Sequence, residues 1–217
     1  LYIETEVKNS DINSKNFSIY SVIIDMDGKE IVNTINVIER GWKFYDQRDW
    51  LAGIFYWTGF DYRGEPNPLK YPSVGSELGI LDYCGFEKDE AYYLKSWWTK
   101  EDVLHIFPHW NLQEHEGEEV NVWVYSNMDE VELVVNGKRL KRKSMPKNGH
   151  LSLKTIYQPG NIKATGYKNG LKVKEKTIYT TGNPASLKIC SNRKTIKADN
   201  EDLAIIKNHL ENKTDNC

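Results

Sequence analysis

Hydrophobic and polar positions alternate through residues 120–181 with the period of half-buried strands. Val120, Val122 and Val124 interleave with Asn121, Trp123 and Tyr125, and Val131, Leu133 and Val135 with Glu132 and Val134. Asn136-Gly137 and Asn169-Gly170 supply the positive φ that tight hairpins require. Further strands are predicted over 151–157, 161–168 and 171–179. With a strand over 102–109 they make about seven, the number an immunoglobulin-like sandwich needs. The same alternation opens the chain, with Leu1, Ile3, Thr5 and Val7 on one side and Tyr2, Glu4, Glu6 and Lys8 on the other. Strands over 17–25 and 30–35 flank a turn at Asp27-Gly28, so residues 1–35 are expected to form part of a sandwich. After Gly182-Asn183-Pro184, strands over 186–190 and 202–210 read as the opening of another incomplete sandwich.

Between these β regions the period changes. Val37, Ile38, Trp42, Phe44 and Tyr45 fit a helix within 36–49, although Gly41 weakens it. Residues 88–97 predict a second helix with Ala91, Leu94 and Trp98 turned inward, and Trp97-Trp98 reads as core packing. The run Leu51-Ala-Gly-Ile-Phe-Tyr-Trp57 is uncharged throughout. A strand apolar on both faces belongs inside a covered parallel sheet. The carboxyl ends of such strands carry the sites of α/β folds, so Trp57 to Glu65, with the charged Asp61, Arg63 and Glu65, reads as a site rim. A buried strand followed by a solvated turn is the plainer alternative.

Composition narrows the chemistry. A formal net charge of −2 gives no general attraction to nucleic acid or anionic membrane. No apolar run reaches the roughly 18 residues a bilayer span requires. Cys84, Cys190 and Cys217 are odd in number and widely spaced, which argues against a disulfide framework or a zinc-type pair. His105 and His109 have a zinc-binding spacing only if helical, and Pro108 disfavours that helix, so no metal is expected. Lys138 to Lys143 holds five basic residues of six. It reads as the solvated strand of a hairpin, offset by the acidic 114–119 run and without interleaved aromatics for base stacking. Seven Trp and thirteen Tyr suit a sugar-handling surface.

The wording of 57–66, WTGFDYRGEP, and of 71–98, YPSVGSELGILDYCGFEKDEAYYLKSWW, resembles the end of the catalytic barrel of family-2 glycoside hydrolases, the β-galactosidase type common in Bacteroidetes. The likeness runs from about Gly41 to Leu210 and is most specific over 57–98. WVYSNMDEVELVVNGK, from Trp123, resembles the immunoglobulin-like domain that follows that barrel. The resemblance implies a mixed fold: a partial sandwich over 1–35, the end of a (β/α)8 barrel over 36–102, an immunoglobulin-like sandwich over 103–182, and the start of another over 183–217.

Carried over, Trp57 belongs to the sugar-binding floor, with Asp61 and Arg63 beside it. An indole stacks on the apolar face of a pyranose, while a carboxylate and a guanidinium take hydroxyls by charge-assisted hydrogen bonds. The family cleaves β-glycosides with two glutamates, an acid/base and a nucleophile, on carboxyl groups about 5 to 5.5 Å apart. Neither has a counterpart here, because most of the barrel is absent between the first sandwich piece and the 36–49 helix. No catalytic residue and no cofactor are therefore expected. Asp61, Glu65, Glu77 and Asp82 match rim and structural positions. A carbohydrate partner is implied, and the family's export favours a periplasmic or secreted setting, any export signal before Leu1 having been removed or never included. An uncovered 51–57 strand would expose Ile54, Phe55 and Trp57 and invite self-association. The alternative is a non-catalytic shortened relative that serves as a carbohydrate-binding or interaction module.

Overall fold

A computed structural model describes residues 35–52, 54–66 and 71–212. The strands expected within 1–34 lie outside the described residues. The rest is mostly β-structure, a sandwich with two helices laid against it.

The sandwich is antiparallel. One sheet has the order β3 (Leu104–Phe107), β4 (Glu119–Ser126), β8 (Leu151–Ile156). The other runs β10 (Leu171–Tyr179), β9 (Asn161–Lys168), β5 (Glu130–Val135), β6 (Lys138–Arg139), and β7 (Lys143–Ser144) also pairs with β5. Alternation places Leu104 and Ile106, Val122 and Val124, and Leu151 and Leu153 opposite Val131, Leu133, Val135, Ile162 and Ala164 in one core. Trp110, Met128 and Tyr157 join the same core. The Asn-Gly hairpins form as expected, with φ of 47° and 80° at Asn136-Gly137 and 51° and 77° at Asn169-Gly170. The strand expected over 102–109 is β3, an outer strand of the first sheet.

β4 explains the aromatic half of the pattern. Its valines face the sandwich core, whereas Trp123 and Tyr125 face the other way, beside Phe107 of β3. That second face is covered by α2 (Asp89–Trp98) through Tyr93 and Leu94, and by α1 (Ile35–Asp46) through Ile38 and Trp42. The sheet is thus apolar on both faces. Polar contacts fasten α1: Trp42 Nε1 donates to Asn148 Oδ1 at 3.0 Å, and Asn148 Nδ2 donates to Asp46 Oδ2 at 2.6 Å. Glu39, 5% exposed, meets His150 at 2.5 Å and also Lys43, while His150 stacks on Trp123 at 4.0 Å. Gly41 does not interrupt α1, whose inward positions Ile38 and Trp42 repeat at i, i+4.

Two expectations for the helical region are corrected. Ala91 and Leu94 are buried, but Trp98 is 46% exposed. It lies in the last turn of α2 and meets the edge of Trp42, 5.5 Å away; Tyr93, at 1% exposure, takes the inward place. The predicted strand at 51–57 is absent: its described residues pair with no sheet, and Ile54, Phe55 and Trp57 are exposed. A run apolar on both faces becomes a strand only between neighbours, and the described residues offer none.

The basic stretch behaves as the solvated hairpin. Lys138, Arg139 and Lys143 are exposed, while Leu140 packs against the core. The acidic partners differ from those expected, since Arg142 pairs with Glu130 and Arg139 with Glu132 at 3.7 Å, both on the neighbouring strand β5 rather than in 114–119. Beyond the sandwich, β11 (Ser186–Ser191) and β12 (Ile206–Glu211) form a two-stranded antiparallel hairpin. The second strand starts later than its predicted 202, because Asp202 caps the connecting loop through Lys197 N and an ion pair with Arg193. No helix of the described residues is long and apolar enough to cross a membrane.

Candidate functional site

Residues 57–65 and 73–88 fold together into a small irregular unit. Ile80 N donates to Thr58 O at 3.1 Å, Leu81 N to Gly59 O at 3.0 Å and Asp61 N to Leu81 O at 2.9 Å. Two-residue strands β1 (Tyr62–Arg63) and β2 (Gly75–Ser76) pair antiparallel beside this ladder. The approach is close enough to demand glycine at 79. A Cβ there would stand 2.2 Å from Asp61 N.

The three residues singled out as sugar contacts are brought to one unit but into different environments. Trp57 is 71% exposed, and its Nε1 donates to the Tyr62 hydroxyl at 3.2 Å. Arg63 is exposed on β1, and among the described residues its guanidinium has no ion pair. Asp61 is 8% exposed. Its Oδ1 accepts from Gly79 N at 2.9 Å and from Lys88 Nζ at 2.7 Å, so the carboxylate ties 61 to the start of α2. Of the other acidic residues, Asp82 accepts from Cys84 N and Phe86 N, both at 2.8 Å, and so closes its own loop. Glu77 is exposed and offers its backbone carbonyl to Lys88.

Sequence reasoning placed Tyr62 and Glu65 in the 57–65 rim but gave neither a contact role. Tyr62 donates to Glu65 Oε2 at 2.5 Å and stands edge-on to Trp57, with ring centroids 5.9 Å apart. Its place inside FDYRGE, between the two charged candidates, was the available signal. Tyr83 reaches Tyr62 O at 3.2 Å from across the unit.

A second polar group lies where α2 meets the sandwich. His105 is stacked flat on Tyr92 at 3.8 Å, with Nε2 2.6 Å from Asp89 Oδ1 and Nδ1 3.3 Å from Lys176 Nζ. Since an ammonium only donates, Nδ1 accepts and Nε2–H donates to Asp89. Burial pushes the Lys176 ammonium below its usual range, with Asp89 acting against that fall and Lys174 adding to it. His109, exposed beyond Pro108, instead accepts from Asn111 N at 3.2 Å. No group of three or more metal-type side chains occurs among the described residues. The His105 group is a polar seam between α2 and the sandwich, whereas the Trp57 unit presents an exposed indole with the Tyr62 hydroxyl and, through it, the Glu65 carboxylate beside it. That combination can stack on and hydrogen-bond a polyol.

Comparison with known proteins bears on the family of the chain. Residues 117–174, within the sandwich, match a domain of unknown function, DUF4982. The chain is 41% identical over 174 residues to the β-galactosidase BoGH2A of Bacteroides ovatus, covering 79% of this chain and 20% of that protein. It is 37% identical over 163 residues to a putative β-glucuronidase of Formosa agariphila, covering 71% and 16%. Among solved structures, a β-glycosidase from Bacteroides vulgatus superimposes with a TM-score of 0.76 at 30% identity, over 82% of this chain and 22% of that one. A glycosyl hydrolase family 2 member from Bacteroides cellulosilyticus gives 0.72 at 28% identity, over 81% and 27%. Fold and sequence together make the chain a glycoside-hydrolase relative. Its family is glycoside hydrolase family 2. The chain spans about a fifth of the length of the curated relatives it matches.

Proposed function

We propose that this chain is part of a family-2 glycoside hydrolase that cleaves β-galactosides or related β-glycosides by the retaining two-glutamate mechanism. Residues 36–102 correspond to the carboxyl-terminal end of the catalytic barrel, 103–182 to the sandwich that follows it, and 183–217 to the start of a further one. Trp57 supplies the face on which the sugar stacks. Arg63 supplies donors for its hydroxyls, and Asp61 supports the floor from behind through Gly79 and Lys88. The observation that carries this reading is the exposed Trp57 within WTGFDYRGEP, in a chain 41% identical to a β-galactosidase over 174 residues.

The acid/base and the nucleophile are not among these residues. A retaining reaction needs a proton donor to the leaving oxygen and a second carboxylate to form the glycosyl bond, both on a rigid frame. Asp61 and Asp82 hold structural hydrogen bonds, which leaves them unsuited to either role. The 217-residue chain is expected to release no nitrophenol from an aryl β-galactoside. Measurable release that Asp61→Asn or Glu65→Gln abolishes would overturn this.

A second reading is supported by the exposure of Ile54, Phe55 and Trp57. In it the chain is a non-catalytic relative that binds carbohydrate or another chain through that surface. Titration with methyl β-galactoside under conditions of no turnover separates the two: binding without hydrolysis by any assembly containing the chain supports the module.

A further inference from the structure

The side chains of Trp57, Tyr62 and Glu65 form a directed hydrogen-bond chain. An ionised carboxylate can only accept, so the Tyr62 hydroxyl gives its proton to Glu65 Oε2 and turns a lone pair to the Trp57 indole N–H. The backbone is shaped to make this possible. Gly64 and Glu65 take positive φ angles, 92° and 43°, which return the Glu65 side chain to a tyrosine three positions earlier. Left-handed φ is costly for a glutamate, and the contact with Tyr62 is what this turn achieves. Tyr62 is itself held from behind, paired with Ser76 in the β1–β2 ladder and accepting at its carbonyl from Tyr83. Gly75 makes room for that tyrosine, since a Cβ there would stand 1.8 Å from the Tyr83 hydroxyl.

We propose that Tyr62 and Glu65 are positioning residues for Trp57. They hold the indole by its N–H edge and leave its face open to a sugar, and Glu65 is the carboxylate exposed at the rim, while Asp61 is turned inward to Lys88. The inference rests on the reading of Trp57 as the sugar platform. It adds a reason for the orientation of an indole that is 71% exposed and receives little packing to fix it. An edge-held ring stacks at a smaller entropic cost than a freely rotating one.

The test uses the full chain labelled with 15N, with the Trp57 indole signal assigned by its loss in Trp57→Ala. Tyr62→Phe keeps the ring and removes the hydroxyl. It is expected to move the indole N–H resonance and to speed its exchange with solvent about fivefold, the effect of one lost hydrogen bond. Glu65→Ala is expected to act in the same direction, and Glu65→Gln, which retains an acceptor, to restore most of the signal. All these side chains are at the surface of the unit, so sandwich amide shifts should stay unchanged. Titration with methyl β-galactoside supplies the second arm, in which Tyr62→Phe and Glu65→Ala are expected to weaken binding about fivefold and Trp57→Ala to abolish it. An indole signal unmoved by Tyr62→Phe and Glu65→Ala overturns the positioning role whatever the sugar arm shows. Sugar binding that is absent, or that survives Trp57→Ala, overturns the platform reading instead and leaves the indole measurement to decide the hydrogen-bond chain.

Discussion

The sandwich over 103–181 and the stretch 50–66 have similar appetites for burial and opposite fates. In the sandwich, Val124, Leu133, Ile162 and Ala164 are fully buried. In the stretch, Trp50, Phe55 and Trp57 are exposed, Phe55 fully. Both sequences are rich in large apolar side chains. The difference is that each sandwich strand finds its hydrogen-bonding neighbour within a few tens of residues, across a hairpin or one crossover. Residues 51–57 need neighbours on both sides and cover on both faces, and the described residues do not provide them. Apolar content alone does not make a core; partners for the backbone do.

The contrast is broken most severely from the sandwich side. Leu133→Ala should cost about 2 to 5 kcal/mol in urea unfolding, because a fully buried side chain leaves a cavity. Phe55→Ser should change the same unfolding free energy by less than about 0.5 kcal/mol. A comparable loss at Phe55 would mean that the stretch belongs to the folded core in solution.

The seam between the helices and the first sheet gives two pH effects of opposite sign. Burial pushes the Glu39 carboxyl up, but hydrogen bonds and charges from His150 and Lys43 outweigh it and hold it below the usual range. A depressed carboxyl adds stability above its unfolded pKa and loses it as pH falls through the folded value. Acid should therefore weaken the docking of α1, and Glu39→Gln should flatten that acid limb. Glu90 is the reverse case. Burial pushes its carboxyl up, its own backbone N–H opposes, and Asp89 adds to the rise. Stability then falls as pH rises from the unfolded to the folded value. Glu90→Gln is expected to raise the Tm at neutral pH by a few degrees and to have little effect in acid. Thermal unfolding across pH checks both, and a Glu90→Gln protein less stable at neutral pH would contradict the second.

The smallest expected effect on stability has the clearest readout in association. Phe55→Ser with Trp57→Ala should reduce concentration-dependent sedimentation of the chain while leaving the sandwich amides unmoved. Monomeric behaviour of the unaltered protein at all concentrations would show that the exposed stretch is tolerated in water.

Local rules made the sandwich legible. Alternation named the faces of β4 and β5, Asn-Gly named the hairpins, and the basic stretch read as a solvated strand, since each depends on residues near in sequence. The wording of WTGFDYRGEP carried the family. Trp57 could be singled out from that wording, but Tyr62 as its holder could not, because the contact depends on the positive-φ turn at Gly64 and Glu65. The fate of Asp61 was equally hidden: its partner Lys88 is 27 residues away, and nothing in the spacing distinguishes a rim carboxylate from one tied inward.

What the sequence determined by itself, then, is the strand pattern, the turns, the two helices and the kinship, all encoded in short-range periodicity or in runs of residues. Tertiary structure alone decided that the aromatic face of β4 receives α1 and α2, that Trp98 stays outside, and that the described residues of 51–57 join no sheet. These depend on which surfaces meet. Burial and backbone pairing are properties of neighbours brought together from distant positions, as Trp42 is to Asn148 across 106 residues, and a residue's own identity does not specify its neighbour.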